Sequence, residues 1–130
     1  MKNISIIVLL LVFCNGCKKD DNEDANRTVE VTYTIETSVG GFSEVKYKVW
    51  DKTNGHTYKA WAISSPGTYS VKSQIPIGTE AEVSATHPGS NKFKLILKGS
   101  DGSIIDESTT ITRVAGPPSY YYGRAIGVAK

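Results

Sequence analysis

Few side chains in this 130-residue chain could carry out covalent or metal chemistry. The two cysteines, Cys14 and Cys17, both lie near the start of the chain, and the two histidines, His56 and His87, fall in turn-like stretches. Cys17 follows the small residue Gly16, and a thiol in that setting behind a short apolar segment can be acylated after cleavage. We therefore expect lipid attachment at Cys17, and we expect no catalytic residue, no cofactor and no metal site.

The segment in front of Cys17 has the pattern of a signal peptide. It starts with a basic residue, and residues 4–13 are apolar except for one serine. That run is too short to cross a bilayer as a helix, which needs roughly 20 residues. The segment resembles the lipobox of bacterial lipoproteins, with Cys14 where that pattern usually has leucine. We predict a lipoprotein signal peptide over residues 1–16; the alternative is an ordinary cleaved signal and a soluble secreted protein.

The lipidated cysteine and an acidic tether are predicted to occupy residues 17–27. Residues 18–24 are two lysines followed by acidic residues and one asparagine, and such a segment cannot bury a core of its own. A lysine followed by acidic residues also resembles the surface-export signal of some Gram-negative lipoproteins, the alternative being a generic tether. We expect a lipid anchor in the bacterial cell envelope, at the outer membrane, with the domain either on the cell surface or facing the periplasm.

Residues 28–130 have the composition of one all-β domain. Seven tyrosines and 12 glycines, with frequent threonine and valine, favour strands and turns. Alternating apolar and polar positions recur in seven runs, over residues 29–38, 45–51, 57–64, 68–75, 80–86, 92–98 and 103–112. Runs of this length and spacing predict an Ig-like antiparallel β-sandwich of about seven strands, with a small barrel as the structural alternative.

The charge of the chain is nearly balanced. Its 15 basic and 13 acidic residues give a formal net charge of +2. This value is too small to predict binding to nucleic acid or electrostatic binding to an anionic membrane surface. The sequence also contains nothing that resembles a nucleophile beside a base, a paired-carboxylate cleft or a phosphate-binding glycine loop, so we do not expect an enzyme.

Two tryptophans, Trp50 and Trp61, flank an Asn-Gly pair at residues 54–55, which is a strong signal for a β-hairpin. If that pair alone forms the loop, Trp50 lies opposite Lys59. In the same register Lys48 lies opposite Trp61, and all four residues share one face. Exposed tryptophans interleaved with lysines would suit a glycan or a protein partner, through stacking and cation–π contacts.

The hairpin has an alternative register. In the first register Tyr58 shares the other face with Tyr47. A bulge at the turn would shift the pairing and direct Trp61 inward against Tyr47, which makes that tryptophan part of the core. The sequence leaves both registers open.

Three consecutive tyrosines, Tyr120, Tyr121 and Tyr122, follow a proline pair at residues 117–118. Successive side chains of a strand point to opposite faces, so the three rings cannot all face one way. One interpretation is an exposed patch that binds a protein partner. The alternative is a last segment that covers an edge of the sandwich.

Several turn motifs of the domain resemble those of the MmpS domain, over roughly residues 31–110. The motifs are Val45-Lys46-Tyr47, the Asn-Gly turn at 54–55, the segment IPIGT at 75–79, FKL at 93–95 and Asp-Gly at 101–102. The resemblance implies an immunoglobulin-like sandwich and an accessory role at an envelope, since members of that family are membrane-anchored accessory proteins of lipid and siderophore exporters. Family members usually carry a disulfide and a transmembrane helix, whereas this domain has no cysteine, so no transporter partner is carried over.

These patterns favour a non-catalytic envelope lipoprotein whose β-sandwich is a binding or accessory module for a protein or an envelope complex. Its contact with the membrane is expected through the lipid on Cys17. The alternative is a surface glycan-binding module that uses Trp50 and Trp61.

Overall fold

The computed structural model describes residues 27–108 and 110–130. Within these ranges the chain forms two antiparallel sheets packed face to face and no helix, so the prediction of an all-β sandwich is confirmed. No helix suited to crossing a membrane occurs among these residues. The predicted signal peptide, Cys17 and all of the predicted tether except Arg27 lie outside them.

The described residues form nine strands. They are β1 (Thr28–Thr37), β2 (Glu44–Asp51), β3 (Gly55–Ala60), β4 (Gly67–Pro76), β5 (Glu80–His87), β6 (Phe93–Lys98), β7 (Ile104–Ser108), β8 (Thr112–Val114) and β9 (Tyr120–Val128). The four-stranded sheet has the order β4-β1-β6-β7, and the five-stranded sheet has the order β3-β2-β5-β9-β8. Every paired strand in both sheets is antiparallel to its neighbour.

The core lies between the two sheets and consists of the apolar residues that alternate along the strands. The largest fully buried side chains are those of Val31, Tyr33, Ile35, Ile75, Val83, Leu95 and Leu97. Burying one such aliphatic side chain contributes about 1.5–3 kcal/mol. The hydroxyl of Tyr33 is satisfied because it donates to the backbone carbonyl of Lys48 at 2.7 Å, which joins the two sheets. Burial raises the pKa of this hydroxyl well above its ordinary value.

The end of the chain forms more strands than the sequence predicts. The run predicted at residues 103–112 is two strands, because the chain leaves the four-stranded sheet after β7 and joins the five-stranded sheet at β8. The additional strand, β9, lies between β5 and the edge strand β8 of the five-stranded sheet. Its inward positions include Gly123 and Gly127, where the other sheet comes close: a Cβ on Gly123 would lie 2.9 Å from Phe93 Cε2 on β6, and a Cβ on Gly127 would overlap Ile105 on β7.

The loop between β2 and β3 contains three residues, and this length decides the hairpin register. Asp51 pairs with Gly55 as the last pair of the ladder. The Oδ1 atom of Asp51 accepts hydrogen bonds from the backbone N–H groups of Thr53, at 2.7 Å, and Asn54, at 2.8 Å. Gly55 follows with a φ of 71°, a left-handed conformation that glycine adopts without strain. Residues 52–54 therefore form the loop, and Gly55 begins β3 directly opposite Asp51.

Candidate binding face

The three-residue loop determines which residues lie on each face of the hairpin. Trp50 pairs with His56, and Lys48 pairs with Tyr58, on the outer face of the five-stranded sheet. The prediction that Trp50 lies opposite Lys59 is therefore wrong, because that register required a two-residue loop. Tyr58 consequently joins the lysines of the outer face instead of the buried valines.

Trp61 lies on the inner side of the same sheet. Its backbone N–H donates to the carbonyl of Val45 at 2.8 Å, and its ring meets the ring of Tyr47 edge-on with centroids 6.0 Å apart. Lys59 pairs with Tyr47, so its side chain also leaves the sheet on the inner side, at the exposed edge strand β3. The alternative position of Trp61, directed inward against Tyr47, is the correct one, although the three-residue loop and not a bulge produces it. Trp50 and Trp61 are on opposite faces and cannot contact one ligand together.

The three tyrosines at the start of β9 alternate between faces. Tyr121 packs against the buried core, whereas Tyr122 pairs with Thr86 and shares the outer face. Tyr120 is exposed at the end of the strand. Because β9 is an internal strand, the interpretation of this segment as a cover over a sheet edge is wrong. Of the predicted binding residues, the outer face of the five-stranded sheet therefore holds Trp50, Lys48, Tyr120 and Tyr122.

Glu82, on β5, is the centre of a group of polar side chains on this outer face. Its side chain is only 8% exposed, although no strand of the described part packs across the face. The hydroxyl of Tyr58 donates to Glu82 Oε2 at 2.8 Å, and Arg124 Nη2 donates to the same oxygen at 2.9 Å. Glu82 Oε1 accepts no hydrogen bond from the residues that the structure describes.

The polar cluster consists of Tyr58, Glu82 and Arg124 together with the ion pair of Lys48 and Glu80. Lys48 Nζ lies 3.6 Å from Glu80 Oε1. These five residues come from β3, β2, β5 and β9, which are adjacent in the sheet, so the cluster crosses four strands. The two acidic and two basic members cancel in charge. The cluster therefore presents oriented hydrogen-bonding groups without a net charge.

The contacts of Glu82 set its protonation. Burial would raise the pKa of Glu82, but the hydrogen bonds from Arg124 and Tyr58 and the positive charges of Arg124 and Lys48 outweigh burial, so the pKa lies below its ordinary value. Glu82 is thus a carboxylate at neutral pH, which accepts hydrogen bonds and donates none. The pKa of the Tyr58 hydroxyl is raised, first by desolvation and then by its bond to Glu82.

Two features border the polar cluster. On one side, the rings of Trp50 and His56 meet with centroids 4.9 Å apart. Desolvation, with the nearby charge of Lys48, lowers the pKa of His56. On the other side, a depression of about 370 Å³ lies beside Arg124 and Tyr122. No group of three or more histidine, cysteine or acidic side chains is placed to hold a metal ion among the described residues.

The residues at the centre of this face, Tyr58, Glu82 and Arg124, are not among the predicted binding residues. Glu82 alternates with buried alanine and valine on β5, which is the position expected for a solvated side chain. Its burial depends on Tyr58 and Arg124, which are 24 and 42 residues away in sequence. Arg124 also lies on a strand that the sequence did not predict. Nothing in the local pattern could have identified these three residues as partners.

Comparisons of the chain with models of known protein families, with curated proteins and with solved structures gave no match. The resemblance to the MmpS domain therefore stays a prediction.

Proposed function

We propose that this chain is a non-catalytic lipoprotein of the bacterial cell envelope, anchored by lipid on Cys17, whose β-sandwich binds a protein or an envelope complex. The binding surface is the outer face of the five-stranded sheet. One observation carries this proposal: Glu82 is nearly buried, two donors hold its Oε2 atom, and no described residue donates to its Oε1 atom.

The charge state of Glu82 supports recognition. A carboxylate with a lowered pKa stays ionised at neutral pH, so it accepts hydrogen bonds from N–H or O–H groups and does not act as a proton donor. Its orientation is fixed before any partner arrives, because Tyr58 and Arg124 come from different strands and hold it from two sides. Groups that are ordered in advance lose little entropy on binding.

The residue types around Glu82 favour a protein partner. Tyrosine and arginine are enriched at protein interfaces, and this face presents Tyr58, Tyr122 and Arg124. Lys48 is paired with Glu80 and Arg124 with Glu82, so a partner does not need a strong charge of either sign. The face would instead select a partner through the positions of its donors and aromatic rings.

A glycan ligand is the second candidate. The ring of Trp50 borders the polar cluster, and an aromatic ring beside a carboxylate and a guanidinium can stack on a sugar and bind its hydroxyl groups. Such a module would use Trp50 without Trp61, since Trp61 packs on the other side of the sheet.

Site-specific photo-cross-linking in intact cells tests this proposal. A photoreactive residue at Lys46 would lie next to Tyr58, with 5.8 Å between Lys46 Nζ and the Tyr58 ring centroid, and would leave both donors to Glu82 in place. The matched control is a photoreactive residue at Thr68 on the four-stranded sheet. We expect a discrete product from Lys46 that Arg124→Gln weakens, and none from Thr68.

The nature of the product separates the candidates. A second polypeptide supports the leading proposal, whereas a product that carries sugar and no second polypeptide supports the glycan module. Identical products from the positions of Lys46 and Thr68, or no product at Lys46 in a correctly lipidated chain, would contradict a binding role for this face.

A further inference from the structure

The chain enters β1 at one end of the sandwich, next to the turn between β4 and β5. The backbone N–H of Ile77, in the turn between β4 and β5, donates to the carbonyl of Arg27 at 3.0 Å. The same turn contacts the residues after β9, because Gly78 N–H donates to the carbonyl of Ala129 at 2.8 Å. Lys130 then lines a depression of about 380 Å³ at the turn between β6 and β7. We name this region, Arg27 with residues 77–79, 99–104 and 128–130, the tether end.

The tether end exposes aliphatic side chains. The large apolar residues that are exposed in the described part are Tyr58, Ile77, Ile104, Tyr120 and Val128. The three aliphatic ones all belong to the tether end: Ile77 is 40% exposed, Ile104 57% and Val128 47%. Single exposed apolar residues are ordinary on a protein surface, but a concentration of them marks a surface that contacts a partner or a membrane.

Basic residues accompany these aliphatic side chains. Arg27 and Lys130 belong to the tether end, and Lys98 pairs with Ile104 in the adjoining ladder. The acidic residues at or beside this end include Asp101, in the turn between β6 and β7, Glu80, which pairs with Lys48 of the polar cluster, and Glu30 on β1, which pairs with Lys72. Aliphatic residues bordered by lysine and arginine are typical of surfaces that lie in the interfacial region of a bilayer.

The position of the predicted lipid relates this end to the membrane. Arg27 is ten residues after Cys17 in the sequence, and ten residues extend over at most about 35 Å. Lipid on Cys17 would therefore hold the tether end within that distance of the bilayer surface. At such a high effective concentration, a weak affinity of the end for lipid is enough to dock it.

We propose that the tether end docks on the phospholipid bilayer that holds the acylated cysteine, with Ile77, Ile104 and Val128 in the headgroup region. This inference rests on the lipid anchor of the proposed function. The β-strands then run away from the bilayer surface. The polar cluster faces sideways and stays open to a partner in the same membrane or beside it.

The test uses the lipidated full chain in vesicles of phosphatidylethanolamine and phosphatidylglycerol, with an environment-sensitive fluorophore on a single introduced cysteine. Ile104→Cys places the probe at the tether end, and Asn91→Cys is the matched control in the turn between β5 and β6, at the opposite end. We expect spin-labelled lipids to quench the probe at 104 by at least about twofold, with a blue shift of its emission, and to leave the probe at 91 unchanged.

A third variant strengthens the test. With the probe at 104, Ile77→Ser together with Val128→Ser should restore water-like emission, because these changes remove two of the three apolar contacts from solvent-exposed positions that the fold does not need. A probe at 104 that is as accessible to water as the probe at 91, on a chain shown by mass to carry lipid on Cys17, overturns the docking and leaves the lipid anchor standing. A chain that carries no lipid overturns the docking and the anchor together.

Discussion

Replacing Arg124 with glutamine should destabilise the sandwich through its effect on Glu82. Arg124 provides one of the two hydrogen bonds to Glu82, with Nη2 2.9 Å from Oε2, and its charge helps to lower the pKa of that carboxyl. In the variant, a carboxylate that is 8% exposed would keep only the bond from Tyr58. A buried carboxylate that loses its hydrogen-bonded counter-ion is costly, so the loss of unfolding free energy should exceed that for an ordinary surface ion pair.

The size of the expected loss of unfolding free energy follows from how exposed Arg124 and Glu82 are. Removing one member of a buried ion pair costs about 3–5 kcal/mol. The side chain of Arg124 is 44% exposed, so solvent screens its charge and we expect a loss of about 2 kcal/mol. Glu82→Gln keeps an acceptor oxygen and removes the charge, for which we expect a loss of about 1 kcal/mol. In the double variant neither Glu82 nor Arg124 carries a charge that could be left unpaired. Its loss of unfolding free energy should therefore be about 1 kcal/mol smaller than the sum of the two single losses.

Urea unfolding at neutral pH measures this coupling, in a chain with Cys17→Ser so that lipid does not interfere. The matched control is Arg113→Gln on β8, because the hydrogen bond that Arg113 Nη2 donates to Ser119 Oγ is long, at 3.5 Å. The free energy of unfolding of that variant should stay within about 0.5 kcal/mol of the parent's. Losses for Arg124→Gln and Glu82→Gln that add to within about 0.3 kcal/mol would refute the coupling.

Three further predictions concern the fold and its response to pH. Gly40→Ala should lower the free energy of unfolding by at least about 2 kcal/mol in the same urea titration, because its Cβ would overlap the backbone of Ser64. The control is Gly89→Ala, which should be neutral because a Cβ on Gly89 meets nothing within 4 Å. Gly127→Ala should cost about 1–3 kcal/mol through overlap with Ile105, and Ile105→Ala in the same chain should recover part of that loss in thermal unfolding. Because the pKa of Glu82 is lowered by folding, its ionised form contributes fully to stability above about pH 4.5, its ordinary pKa. This contribution is lost as pH falls through the lower folded-state pKa. The stability of Glu82→Gln should therefore fall less steeply than that of the parent below about pH 4.5 in an acid-unfolding titration.

The strands that the sequence predicts best are those with large apolar residues on the buried face. On β5 the alternation of Ala81, Val83 and Ala85 with polar residues marks the face that packs on the core, and the structure buries all three. Strand β9 reverses this pattern. After Tyr121 its inward positions are small, as at Gly123 and Ala125, because the other sheet lies close, and larger residues face outward. A search for large apolar residues at every second position therefore does not detect it.

The candidate binding face depends on register, which local sequence does not determine. A loop of two or three residues fits the same Asn-Gly pair, and only the three-residue loop, with Asp51 paired to Gly55, places Tyr58 on the outer face. The partnership of Tyr58 with Glu82 then follows from the pairing of β2 with β5. Such contacts join strands that are distant in sequence, so they become visible only when the sheet order is known.

Lipid anchoring at Cys17 is tested most directly by metabolic labelling with a fatty-acid analogue, comparing the unaltered chain with Cys17→Ser in cells that are then treated with protease from outside. We expect label on the unaltered chain and none on Cys17→Ser, with cleavage by the protease indicating display on the cell surface and protection indicating the periplasm. An unaltered chain without label, or equal label on both chains, would contradict the lipid anchor.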